Sequence, residues 1–107
     1  KLVKKELENA TLYYNLGNVM GNNYEAAVIV AKNALKDYPY SKYKEQLEML
    51  ILKARYQEAS QSVDEKKVER FRDVIDEYYS FINDYPESES REEADNIFKI
   101  ASKYVKD

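Results

Sequence analysis

The sequence predicts an all-α chain, a solenoid of about five helices stacked as antiparallel helix pairs. Three observations predict it. Only two Gly and two Pro occur in 107 residues, too few to turn the many strands of a sheet protein. Charged residues make up 35% of the chain, and with abundant Ala, Leu, Glu and Lys they suit long amphipathic helices. Apolar residues recur three and four apart, and one short turn segment occurs twice, the signature of a repeat.

The elements follow in order. A first helix is expected over Leu2–Met20 and a second over Tyr24–Tyr38, entered after Asn22 and Asn23. Pro39 stops the second, because proline lacks an amide hydrogen and disfavours helical dihedrals at the residue before it. Ser41 offers an N-cap for a third helix, Lys42–Gln61. Ser62 with Glu65 spells a capping box, in which serine oxygen and glutamate carboxylate each satisfy an orphan amide. The fourth helix then runs to about Asn83 and is closed by Pro86; Ser90 with Glu93 offers a second box for a last helix ending near Val105. Short connections imply antiparallel neighbours. One domain, 1–107, thus divides into a helix pair (1–40), a longer pair (41–86) and a C-terminal capping helix (87–107).

Leu35-Lys36-Asp37-Tyr38-Pro39-Tyr40-Ser41 returns 47 residues later as Ile82-Asn83-Asp84-Tyr85-Pro86-Glu87-Ser88. At the same offset Glu45 meets Glu92 and Ala54 meets Ala101. The helix faces say which elements are interior. The fourth helix has one stripe of Val68, Phe71, Ile75, Tyr78, Ile82 and Tyr85, and the last has one of Ala94, Ile97, Phe98, Ala101, Tyr104 and Val105. A one-sided last helix suits the closing end of an array. The third helix is apolar on two sides, Tyr43, Leu47, Leu50, Ile51 and Ala54 against Met49, Leu52, Tyr56 and Ala59, which places it between neighbours. The first also has two faces, Val3, Leu7, Ala10 and Tyr14 against Leu2, Tyr13, Leu16 and Met20. The second of these sets lacks a partner, so the expectation is the C-terminal piece of a longer solenoid with further N-terminal repeats.

Tyr13-Tyr14-Asn15-Leu16-Gly17-Asn18 resembles the start of a tetratricopeptide repeat, and Tyr24, Ala27, Ala34 and Pro39 stand where that family has Tyr, Ala, Ala and Pro. The turn after Gly17 is two residues short of that pattern. The resemblance makes Gly17, Ala27 and Ala34 the small residues that let paired helices approach closely. The wider pattern is more specific: Tyr24-Glu25-Ala26-Ala27, then Leu35–Ser41 with Tyr43, then Lys53-Ala54-Arg55-Tyr56 with Ala59, then Val74–Pro86. It is similar to the C-terminal repeats of the BamD (YfiO-like) outer-membrane assembly lipoproteins and covers essentially the whole chain. The resemblance implies a scaffold at the periplasmic face of the outer membrane. Its partners would be the POTRA domains of BamA, other assembly subunits or unfolded barrel clients, and its only membrane contact an N-terminal lipid anchor. The insertion around Gln57–Arg70 departs from the family's shorter repeat.

The composition narrows the chemistry independently. A net charge of −3 and a pI near 5.1 disfavour nucleic acid as partner, since phosphate binding wants a basic face. His and Cys are absent, and no Gly-rich loop could cradle a phosphate, so the expectation is no enzyme and no cofactor. Glu92 with Glu93, and Asp76 with Glu77, diverge by about 100° on a helix and read as solvated faces. Metal binding by Glu87, Glu89, Glu92 and Glu93 is disfavoured because exposed carboxylates bind divalent ions weakly. Lys66, Lys67, Arg70 and Arg72 form a basic cluster that reads either as a solvated face or as a contact for an acidic partner or anionic headgroups. Of the 11 tyrosines, Tyr13, Tyr24, Tyr38, Tyr78, Tyr85 and Tyr104 sit on or near core stripes and read as packing residues. Tyr40, Tyr56 and Tyr79, with Arg70 and Arg72, are the partner-contact candidates, since Tyr and Arg give contact area with a polar tip. The alternative to a subunit scaffold is a general peptide-binding module or chaperone-like adaptor.

Overall fold

The structure is a computed structural model describing residues 2–105. Its elements are α1 (Leu2–Leu16), α2 (Asn23–Asp37), α3 (Lys44–Ser60), α4 (Asp64–Asp84) and α5 (Arg91–Tyr104). Each helix packs on the next in the chain, α1 also touches α3, and α3 touches α5. Among the described residues the backbones of α2 and α4 do not come together, though side chains of both border one cleft. The odd helices therefore form one row and the even helices a second, splayed row. The molecule measures 43 × 36 × 20 Å, its thinnest dimension about two helix diameters, as in a helical-repeat solenoid.

The two repeat corners match bond for bond. Tyr38 and Tyr85 end their helices at φ/ψ of −133°/63° and −137°/66°, with amides donating to Ala34 O and Phe81 O. Ser41 Oγ accepts from the Tyr43 amide and Ser88 Oγ from the Ser90 amide, at 2.9 and 3.0 Å. Lys44 and Arg91 amides then donate to the Ser41 and Ser88 carbonyls. Pro39 and Pro86 end the preceding helix, and the serine two residues on turns the chain into the next.

That geometry corrects three capping assignments. The residue before α3 is Tyr43 rather than Ser41, and neither it nor Ser90 caps through its side chain. Both have ψ near zero, 6° and 5°, whereas a capping side chain reaches its amide from extended dihedrals. Val63, not Ser62, precedes α4. Ser62 Oγ donates to Glu58 O and accepts from Arg70 Nη1, closing the end of α3 instead.

α1 also ends earlier than expected. Gly17 takes the left-handed conformation at φ +59° and its amide donates to Tyr13 O at 3.1 Å, a glycine stop. Val19 and Met20 only prolong the apolar spacing past that stop. Gly17 therefore ends a helix rather than letting two helices close in mid-length, although the Tyr24 hydroxyl packs where its Cβ would be. Asn22 Oδ1 accepts from the Glu25 amide to cap α2.

Two cores share α3. One joins α1, α2 and α3 through Ala10, Ala27, Val28, Ala31, Ala34, Leu47, Leu50, Ile51 and Ala54. The other joins α3, α4 and α5 through Met49, Leu52, Ala59, Phe71, Val74, Tyr78, Phe81, Ala94, Ile97 and Ala101. The stripes are repeat-related: Ala27, Ala31 and Ala34 of α2 stand where α4 has Val74, Tyr78 and Phe81. Small residues bring the first three helices close, and large ones fill the second core. Leu2, Tyr13 and Leu16 of α1 are exposed, as is Met20 in the turn beyond it. Val68 is exposed too, although its spacing joins the α4 stripe. α4 has 21 residues and α5 has 14.

Candidate protein-binding surface

The row of odd helices frames a groove of about 290 Å³. α1 supplies Leu7, Thr11 and Tyr14, α3 supplies Gln46, Met49, Leu50 and Lys53, and Ser90 closes it at the start of α5. Helical spacing sets the wall, because Leu7, Thr11 and Tyr14 recur four and three apart, as do Gln46, Met49, Leu50 and Lys53. Lys53 Nζ lies 5.1 Å from the Tyr14 ring centroid, so a cation and an aromatic face stand together over an apolar floor. Burial pushes the Tyr14 hydroxyl above its ordinary pKa, with Gln57 acting in the opposite sense.

A charged cleft of about 130 Å³ lies where α2, α3 and α4 border one another, lined by Glu25, Arg55, Glu58, Arg70 and Asp73. Part of its charge is paired. Arg55 pairs with Glu58 at 3.7 Å, and Asn22 Nδ2 donates to Glu58 at 2.9 Å.

The five contact candidates do not converge. Tyr40 projects from the first corner, 98% exposed. Tyr56 lies edge-on to Phe71, ring centroids 6.3 Å apart, and packs against the second core. Tyr79 is 48% exposed and edge-on to Phe98 at 5.5 Å, on the outer seam of α4 and α5. Arg70 donates to Ser62 Oγ at 2.8 Å. Arg72 is exposed and points about 200° around α4 from Arg70. Nor is the basic cluster one patch, for Lys67 Nζ sits 5.6 Å from the Tyr104 ring centroid while Lys66 faces solvent. Of the tyrosines assigned to core stripes, Tyr13 and Tyr104 are substantially exposed; Tyr104 nevertheless stacks on Phe71 at 4.2 Å.

No family model and no curated protein matches this chain.

The remaining polar groups hold helices together. Tyr78 donates its hydroxyl to Asp95 Oδ1 at 2.7 Å and Arg91 Nε donates to the same oxygen at 2.9 Å. Those two bonds, Tyr78 first, hold the Asp95 carboxyl below its usual value. Lys44 pairs with Glu48 at 3.2 Å and Asp84 at 3.6 Å, the repeat counterpart of Arg91 with Asp95. Burial raises the Glu48 carboxyl against the nearby Lys44, and raises that of Glu77 against Lys32 and Arg55. Neither carboxylate lines the cavities described here. Among the described residues no cluster of three acidic, His or Cys side chains could hold a metal ion, and no helix is long and apolar enough to cross a membrane.

Sequence reasoning overlooked Gln46 and Lys53 in the groove and Glu45 beside the second corner. The signal for the first two was present in the spacing Gln46, Met49, Leu50, Lys53, but Met49 and Leu50 were divided between two core faces. What makes them one surface is the adjacency of α1 and α3, which no local pattern encodes.

Proposed function

We propose that this chain is a non-catalytic, protein-binding scaffold of the BamD (YfiO-like) kind, taking POTRA domains of BamA as its folded partner at the periplasmic face of the outer membrane. The observation that carries the binding part is the row of α1, α3 and α5, which builds a surface groove over apolar side chains. Its walls hold hydroxyl, amide and ammonium groups, with no activated nucleophile and no paired acid and base. The two carboxyls displaced toward neutrality lie outside it, so they serve helix packing. The partner's identity rests on the resemblance of Tyr24–Ala27, Leu35–Ser41, Lys53–Ala59 and Val74–Pro86 to that family.

Immobilised protein is expected to retain purified POTRA domains in a pull-down, and crosslinking is expected to map the contact to the odd-helix row. Failure of the full-length protein to associate with POTRA domains overturns the partner assignment.

A second reading, a module that captures extended peptide tails, is favoured by the Lys53–Tyr14 pair set over the groove floor. Under this reading Lys53→Glu abolishes stoichiometric peptide binding while leaving the helical circular dichroism unchanged. Retention of peptide by that variant removes the groove from consideration.

A further inference from the structure

The two repeat corners are copies in backbone but not in exposed side chains. Their hydrogen bonds use the amides and carbonyls around Tyr38 and Tyr85 and the hydroxyls of Ser41 and Ser88. The side chains at the intervening positions have no part in those bonds. There the copies diverge: Tyr40 is replaced by Glu87 and Lys42 by Glu89. A change at a position the fold does not use is free to serve recognition.

The two corners border one continuous edge. The first, with Val3 of α1, walls a dimple of about 400 Å³ whose sides are Tyr38, Pro39, Tyr40 and Tyr43. Lys42 borders both this dimple and a second depression of about 490 Å³, where Glu45, Glu87 and Glu89 gather. Gln46 and Ser90 continue that depression into the odd-helix groove. Lys42 leans over the Tyr43 ring, 5.5 Å from its centroid. Among the described residues none of the three carboxylates has an ion-pair partner. Ser88 Oγ donates to Glu45 Oε2 and fixes that carboxylate in place. An aromatic dimple and an acidic lip of three unpaired carboxylates thus lie side by side, with Lys42 between them.

We propose that this edge docks an extended protein segment carrying an apolar residue followed by Lys or Arg. The apolar side chain seats against Val3, Tyr38 and Tyr40, and the cations meet Glu45, Glu87 and Glu89. Tyr40 offers a rigid aromatic face in the open, and unpaired carboxylates supply the complementary charge that steers and orients a basic segment. The same lip repels phosphate, so nucleic acid and anionic lipid surfaces do not fit it. The inference rests on the protein-binding reading above but not on the identity of the partner.

The test uses the full chain and a fluorescent synthetic peptide alternating Leu with pairs of Lys, followed by polarisation. Its counterpart carries Glu at every Lys position. The Lys peptide is expected to bind, the Glu peptide not, and affinity is expected to fall as salt is raised. The double variant Glu87→Lys, Glu89→Lys weakens binding about tenfold, and Tyr40→Ala about fivefold. All three positions are exposed, so folding, followed by circular dichroism, is unaffected. A control double variant on α4, Glu65→Lys with Glu69→Lys, makes the same change in net charge and leaves affinity within about twofold. Equal binding of the two peptides, undiminished affinity in the Glu87/Glu89 variant, or an equal loss in the control each overturns the proposal. These outcomes stand apart from the POTRA pull-down: the peptide result decides this edge whether or not POTRA domains are retained.

Discussion

Gly17 lies in the left-handed region with the Tyr24 hydroxyl 2.8 Å from the place a Cβ would occupy. Gly17→Ala is therefore expected to lower stability by about 1–3 kcal/mol, from backbone strain and displacement of Tyr24, read as a lower urea midpoint at unchanged slope. Three residues on, Met20 takes φ 59° without being glycine and is 99% exposed, so nothing in its side chain compensates the strain. Met20→Gly is expected to raise stability by about 1 kcal/mol in the same titration; a loss would show that Met20 packs in solution. Glu77 gives the pH prediction at this scale. Burial holds its carboxyl above the ordinary glutamate value. Its contribution to stability is thus fully present below that ordinary value and is lost as pH rises through the folded one. Glu77→Gln should raise the melting temperature at neutral pH and flatten its dependence between acidic and neutral solution. A variant with the wild-type pH profile would assign that dependence elsewhere.

The corners and α3 decide the element scale. In the second corner the hydroxyl that matters is that of Ser88, which accepts from the Ser90 amide and donates to Glu45; Ser90 makes no side-chain cap bond. Ser88→Ala is expected to cost about 1 kcal/mol and Ser90→Ala less than about 0.5 kcal/mol, compared by thermal unfolding. The reverse order would restore Ser90 as the cap. Helix existence was legible at this scale because apolar spacing and two prolines are local signals, and the two-sided α3 was legible because its Leu47 and Leu52 faces stand apart on the helical wheel. The Ser90 cap fails because a serine before a glutamate defines a box only if the serine backbone is extended, whereas Ser90 has ψ 5°; Ser41 and Ser62 fail because the helices begin later, after Tyr43 and Val63. Val68 shares the α4 spacing yet stays exposed, because a stripe says which face a residue is on and not whether a neighbour covers it.

Stability runs through α3, among the described residues the one helix with side chains in both cores. In a quasi-one-dimensional array an element with neighbours on two sides opens last. Hydrogen exchange is expected to be slowest for α3 amides and faster for α1 and α5; equal protection of α1 and α3 would contradict this. The surface was the least legible part. Of the five residues chosen from sequence, Tyr40 alone stands on the edge where aromatic and acidic side chains meet. Tyr56 belongs largely to a core, Arg70 is engaged with Ser62, and Arg72 and Tyr79 point elsewhere. Glu87 and Glu89 were visible as letters, but their meeting with Glu45 across more than forty residues was not.

The sequence by itself determined the all-helical class, the stripes, the 47-residue repeat and the double-sided α3, since each depends on residues within a few turns of one another. Only the tertiary structure decided where α1 stops, which serine turns each corner, and which side chains share a surface. Those outcomes follow from helices packing at set distances and lengths, and adjacency of that kind is a property of the assembled chain, absent from any single segment.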